Sequence, residues 1–125
     1  KSGIIDTIGS DHAPHTLEEK ARPYGSCPSG VPGIETTLPL LIEAYHQGLL
    51  SLKNIVDLTS RRAKEIFQLP DYADDYVLVD LSLARRVEEK QLKTKCQWSP
   101  FTGRLLRGWP VIIVLKNHVY DLARL

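Results

Sequence analysis

The order of apolar and polar positions divides the chain into three rhythms. Ile4-Ile5-Asp6-Thr7-Ile8 is an apolar run stopped by Gly9, the pattern of a short buried strand. Residues 10–33 are rich in proline and glycine and show no apolar period. They predict a long loop, and an ordered loop of that length in a compact domain is usually functional. From Ile34 the period becomes helical, with Leu38, Leu41, Ile42 and Tyr45 on one face and Gly48 as a stop. Ser51 can cap a second helix that turns Leu52, Ile55, Val56 and Leu58 inward. Thr59 or Ser60 can cap a third, burying Ala63, Ile66 and Phe67 before Pro70 ends it.

Beyond residues 70–75 the rhythm is that of strands. Tyr76-Val77-Leu78-Val79-Asp80-Leu81 is β-rich. Val111–Leu115 and Val119-Tyr120 read as a hairpin around Lys116-Asn117-His118, without the favoured Asn-Gly pair. The chain is therefore α/β, with a boundary near residues 70–75, no internal repeat and no low-complexity segment. A lone strand leading into helices cannot bury both faces, and a parallel strand needs neighbours. Residues 1–70 thus read as the closing βα unit of a larger barrel or sheet, and the chain as a fragment or as one that pairs with something else.

Composition narrows the functional classes. The 125 residues, 42% hydrophobic and 25% charged, have globular proportions. Sixteen Lys and Arg against fifteen Asp and Glu leave a net charge of +1, which offers no electrostatic argument for nucleic acid or an anionic membrane. No apolar run approaches a membrane span and no signal-peptide pattern is present. Cys27 and Cys96 lack CxxC spacing, which favours a reducing, cytoplasmic setting over a disulfide or a zinc knuckle.

Chemistry concentrates in "GSDHAPHT", residues 9–16, where one carboxylate and two imidazoles fall within five positions. Asp11 at the end of a strand can bind a divalent metal and accept a proton from metal-activated water. His15, turned by Ala13-Pro14, can face the same cleft and hydrogen-bond an anionic substrate. On spacing alone, an aspartate that caps the turn beside two solvated histidines competes evenly with this reading, because D-H-x-x-H is no standard zinc motif. His12 is expected to be structural, Glu18, Glu19 and Lys20 a solvated turn, and Glu35 a complement to the helix dipole. His46 and His118 read as surface residues, Cys27 as unactivated, and Trp98, Pro100 and Phe101 as packing residues.

The string "SDHAPHTLEEK", followed by "PSGVPG" and "IETTLPLLIEA", resembles the C-terminal part of dihydroorotase, an amidohydrolase-superfamily enzyme of pyrimidine biosynthesis. "IFQLP", "YVLVDL" and "WSPFTGRLLRG" follow in the family's order, and the similarity is nearest to the type found in the animal multifunctional pyrimidine enzyme. The resemblance implies the last strand and helices of a (β/α)8 barrel in residues 1–70. It also implies strands of the appended β-sandwich in residues 71–125. Asp11 would then be a zinc ligand and the catalytic base that later protonates the leaving amide nitrogen. His15 would bind the substrate carboxylate, and Ser29 and Gly30 would contact its ring through the backbone. The implied reaction is the reversible cyclisation of carbamoyl aspartate to dihydroorotate with a binuclear zinc centre.

The segment Thr59-Ser60-Arg61-Arg62 departs from the family's Asn-Pro helix start but keeps a capping hydroxyl. The other metal ligands the family needs, an HxH pair, a carboxylated lysine and two more histidines, are absent from these residues. A barrel of this kind takes about 250 residues, so the expectation is a fragment that is inactive by itself. Its expected partners are the rest of the barrel, a second copy, or aspartate transcarbamoylase. The alternatives are a non-catalytic dihydroorotase-like scaffold for aspartate transcarbamoylase and a related cyclic amidohydrolase of the allantoinase or hydantoinase type.

Overall fold

The computed structural model describes residues 3–70, 72 and 74–122. Asp71 and Ala73, at the expected boundary, lie outside the described residues. Four helical segments precede three strands: α1 (Leu17–Lys20), α2 (Thr37–His46), α3 (Leu52–Val56) and α4 (Arg62–Phe67), then β1 (Tyr76–Arg86), β2 (Leu105–Leu115) and β3 (His118–Asp121). The strands form one antiparallel sheet in the order β1-β2-β3.

The expected strand at Ile4–Ile8 is not formed. A strand needs a pairing partner along its length, and among the described residues only the Ile8 N–H meets one, the Leu58 carbonyl at 3.0 Å. Ile4 and Ile5 are left 82% and 70% exposed. The loop of residues 10–33 is also more ordered than its composition suggests. It contains α1, started by a capping box in which Thr16 and Glu19 exchange side-chain and backbone hydrogen bonds.

Helix α2 ends as its glycine predicts, with Gly48 at φ 69° just past the cap. The second and third expected helices are one continuous helical run, not two. A π-helical turn, Asp57–Arg61, joins α3 to α4, and every junction residue keeps right-handed helical angles. Thr59 does not cap, because its hydroxyl donates to the Ile55 carbonyl four residues back at 2.7 Å. Asp57 stitches across the junction, pairing with Lys53 on one side and Arg61 on the other, both at 2.7 Å.

β1 runs five residues beyond the expected Leu81, with register shifts between Leu78 and Val79 and between Asp80 and Ala84. At the second, the Asp80 carboxylate accepts from the Ser82 N–H and hydroxyl and from the Leu83 N–H. Lys116 and Asn117 both take positive φ, 49° and 64°, so the β2–β3 hairpin has the mirror-image turn that matches strand twist without the Asn-Gly pair.

Helix α2 lies across β2. The buried side chains of Ile42, Val87, Leu106 and Val114 belong to the core, and Leu106 is fully enclosed. Gly108, at φ 89°, lets the two elements touch: a Cβ there would stand 2.0 Å from Ile42 Cγ2. Polar ties reinforce the layer. Arg107 reaches Glu43 at 3.4 Å, and this hydrogen bond holds the Glu43 carboxyl below its ordinary range. His46 contacts the Leu81 carbonyl through Nε2 at 2.8 Å.

Candidate functional site

The front loop returns on itself beside α2. His12 bridges Val31 in parallel, and the Ala13 N–H donates to the Val31 carbonyl at 3.0 Å. This brings Asp11, Ala13 and Gly30 together. Gly30 is at φ 83°, and a Cβ there would fall 2.6 Å from the Ala13 Cβ and 4.0 Å from Asp11 Oδ2. The glycine is therefore required twice over, by its left-handed backbone and by the close approach of Ala13.

Asp11 is itself left-handed, at φ 42°, an uncommon conformation that aspartate tolerates better than most residues. Its carboxylate is exposed and has no hydrogen-bond or ion-pair partner among the described residues. A strained backbone carrying a free carboxylate does not serve stability in any way visible here, and such strain concentrates at functional sites.

His15 sits two residues beyond Ala13, with its N–H on the Ala13 carbonyl at 2.9 Å. Its Nδ1 is 3.6 Å from Glu19, and its side chain is 38% exposed. The Thr16 N–H holds the Glu19 carboxyl below its ordinary range. Ser29 is exposed at the tip of the same loop. The structure thus gathers Asp11, Ala13 and Gly30, with Ser29 one residue from Gly30 and His15 two residues from Ala13.

Three residues that composition assigned to blander roles build this site. Lys20 is no solvated charge: its ammonium donates to the carbonyls of Pro28 at 2.6 Å and Gly30 at 3.1 Å, clamping the loop. Glu35 does more than face a helix dipole. Its carboxylate accepts the N–H groups of Lys93 at 3.0 Å and Thr94 at 2.8 Å, fastening residues 93–94 to the start of α2. Trp98, 9% exposed, packs as expected but also donates its indole N–H to the His15 carbonyl at 2.7 Å. His12 is engaged through Nδ1, which accepts the N–H groups of Gly33 at 3.2 Å and Ile34 at 3.4 Å. No sequence signal marks the Lys20 or Trp98 bonds, since their acceptors are backbone carbonyls eight to 83 positions away.

The donor set fits a metal only in part. The free carboxylate of Asp11 is a suitable oxygen ligand. Yet among the described residues no three His, Cys, Asp or Glu side chains converge to hold an ion. Among the same residues, no helix is long and apolar enough to cross a membrane.

No protein-family profile matches the chain. It is 42% identical over 126 positions to "Dihydroorotase" of Halobacterium salinarum, an alignment covering 95% of this chain and 30% of that protein. It is 40% identical over 117 positions to "Multifunctional protein pyr1-3" of Dictyostelium discoideum, covering 92% of this chain and 5% of the other. The chain spans less than a third of the length of these curated relatives. Among solved structures it is similar to an L-hydantoinase of Arthrobacter aurescens, with a TM-score of 0.86 and 28% identity over 95% of this chain and 29% of that one. It is also similar to the inactive dihydroorotase-like domain of a Chaetomium thermophilum multifunctional protein. There the TM-score is 0.62 and the identity 32%, over 70% of this chain and 25% of the other.

Proposed function

We propose, for a chain that resembles a portion of dihydroorotases over nearly its whole length, that it supplies one wall of a dihydroorotase active site. The observation that carries the reading is the left-handed Asp11, its carboxylate free and 4.0 Å from the Cβ position of Gly30. Residues 1–70 would complete a (β/α)8 barrel and residues 71–125 a β-sandwich beside it. Val56 and Phe67, expected to be buried, are instead exposed, and with the exposed Ile4 and Ile5 they support a larger apolar neighbourhood than these residues provide.

In this reading Asp11 accepts a proton from the attacking water and delivers it to the ring nitrogen as the amide bond of dihydroorotate breaks. The reverse path closes carbamoyl aspartate. Zinc, held by Asp11 and by ligands outside this chain, would lower the pKa of the water and polarise the carbonyl. His15 holds the substrate carboxylate through its ring. Gly30 and Ser29 offer backbone groups to the pyrimidine ring, which can lie close because Gly30 carries no Cβ.

The test uses the full-length natural protein, assayed for dihydroorotate hydrolysis and bound zinc. Asp11→Asn is expected to cut kcat by about 10³-fold, the scale of a lost general acid–base. Full activity in that variant would reject the assignment. The likeness to an inactive dihydroorotase-like domain supports a second reading, a scaffold for aspartate transcarbamoylase. An intact protein that turns over no substrate yet binds that enzyme would favour it. The likeness to hydantoinases supports a third, which hydantoin hydrolysis without dihydroorotate hydrolysis would reveal.

A further inference from the structure

We propose that Trp98 is a positioning residue that sets the place of His15, so that a residue of the strand-rich half tunes substrate affinity at the front loop. The inference rests on the reading of His15 as a substrate anchor.

A buried indole N–H needs an acceptor. Trp98 has many carbonyls in its own segment, yet it bonds that of His15, 83 positions away, at 2.7 Å. The His15 peptide is thereby held from both ends, since its N–H is fixed on the Ala13 carbonyl at 2.9 Å. The next N–H, that of Thr16, is fixed on Glu19 at 2.8 Å. The imidazole is part exposed. Trp98 is itself anchored. Glu35 grips the N–H groups of Lys93 and Thr94, and Ser99, the next residue in sequence, is buried. Glu35 also lies one residue beyond Ile34, whose N–H bonds His12. The chain of contacts therefore runs from the start of α2 through residues 93–98 to His15, and returns through His12 to the start of α2. Such a closed circuit fixes a backbone position, and a ring displaced by a fraction of an ångström meets a carboxylate less well.

The experiment compares Trp98 with its isostere β-(3-benzothienyl)alanine, which keeps shape and burial and lacks only the N–H, and with Trp98→Phe. Both are measured in the full-length natural protein. The expected result is a rise of roughly five- to tenfold in KM for dihydroorotate, with kcat within about twofold, the scale of one hydrogen bond. In a His15→Asn background the same replacement should add little, because the two act through one contact. An additive effect, or a fall in kcat at unchanged KM, would overturn the proposal. If the intact protein turns over no dihydroorotate, the dihydroorotase reading fails separately. The His15 ring signals in NMR then carry the test: a shift or broadening with the isostere supports positioning, and unchanged signals overturn it.

Discussion

The front loop, residues 9–35, and the layer of α2 on β2 are held by opposite means. In the layer, Ile42, Leu106 and Val114 are each buried, and stability comes from apolar area that has no preferred direction. In the loop, only Pro32 and Gly33 are buried. Its order comes from single directional ties: Lys20 on Pro28 and Gly30, His12 on Gly33, and Trp98 on His15. Burial makes a fold robust, whereas hydrogen bonds fix angles. The proposed site, which must aim a carboxylate and an imidazole, needs the second kind of order, and Lys20, His12 and Trp98 supply it.

That contrast can be broken at its strongest point first. Gly108→Ala forces a Cβ into Ile42 on a backbone at φ 89°. It is expected to cost on the order of 3 kcal/mol, overpacking plus left-handed strain, read as a lowered denaturation midpoint. A near-neutral result would show that the layer is looser than its contacts imply. Next, Lys20→Met removes two charge-assisted bonds from the loop and none from the layer. The amide of Ala13, bonded to Val31, should exchange about tenfold faster, the equivalent of about 1.4 kcal/mol, with β1–β2 amides unchanged. Equal acceleration in both regions would erase the distinction.

The smallest effect lies at the π-helical junction. Hydrogen bonds from Arg61 and then Lys53 hold the Asp57 carboxyl down to about 2. A depressed carboxylate contributes stability that is complete above its unfolded value and is lost as pH falls through the folded one. Acidification from about pH 5 toward 2 should therefore loosen residues 52–67, and Asp57→Asn should flatten that dependence. Helical circular dichroism across the titration checks it. An identical acid profile in the variant would mean that other carboxylates govern the transition.

Much of the architecture was legible along the chain. The helical stripe of Leu38, Leu41, Ile42 and Tyr45, the stop at Gly48, the cap at Ser51 and the strand at Tyr76 all express local preferences, and the strand expected at Val111 forms but begins six residues earlier, at Leu105. The misreadings share one cause, because each depended on a partner remote in sequence or missing. Ile4–Ile8 has strand composition but no neighbour to pair with. Thr59 has a capping hydroxyl, but the Ile55 carbonyl claims it. Lys20 looks like a solvated charge and Glu35 like a complement to a helix dipole until their backbone partners are in place.

The sequence by itself singled out Asp11 and His15 in "DHAPH" as the candidates for chemistry, and determined that a glycine stands at position 30. It also determined the alternation of helix and strand, because periodicity and caps act within a few residues. Only the tertiary structure decided that Gly30 meets Ala13 beside Asp11, and that Trp98 reaches the carbonyl of His15. The physical reason is range. Local propensity extends over about one turn, whereas a backbone carbonyl offers the same acceptor at every position until the fold selects one.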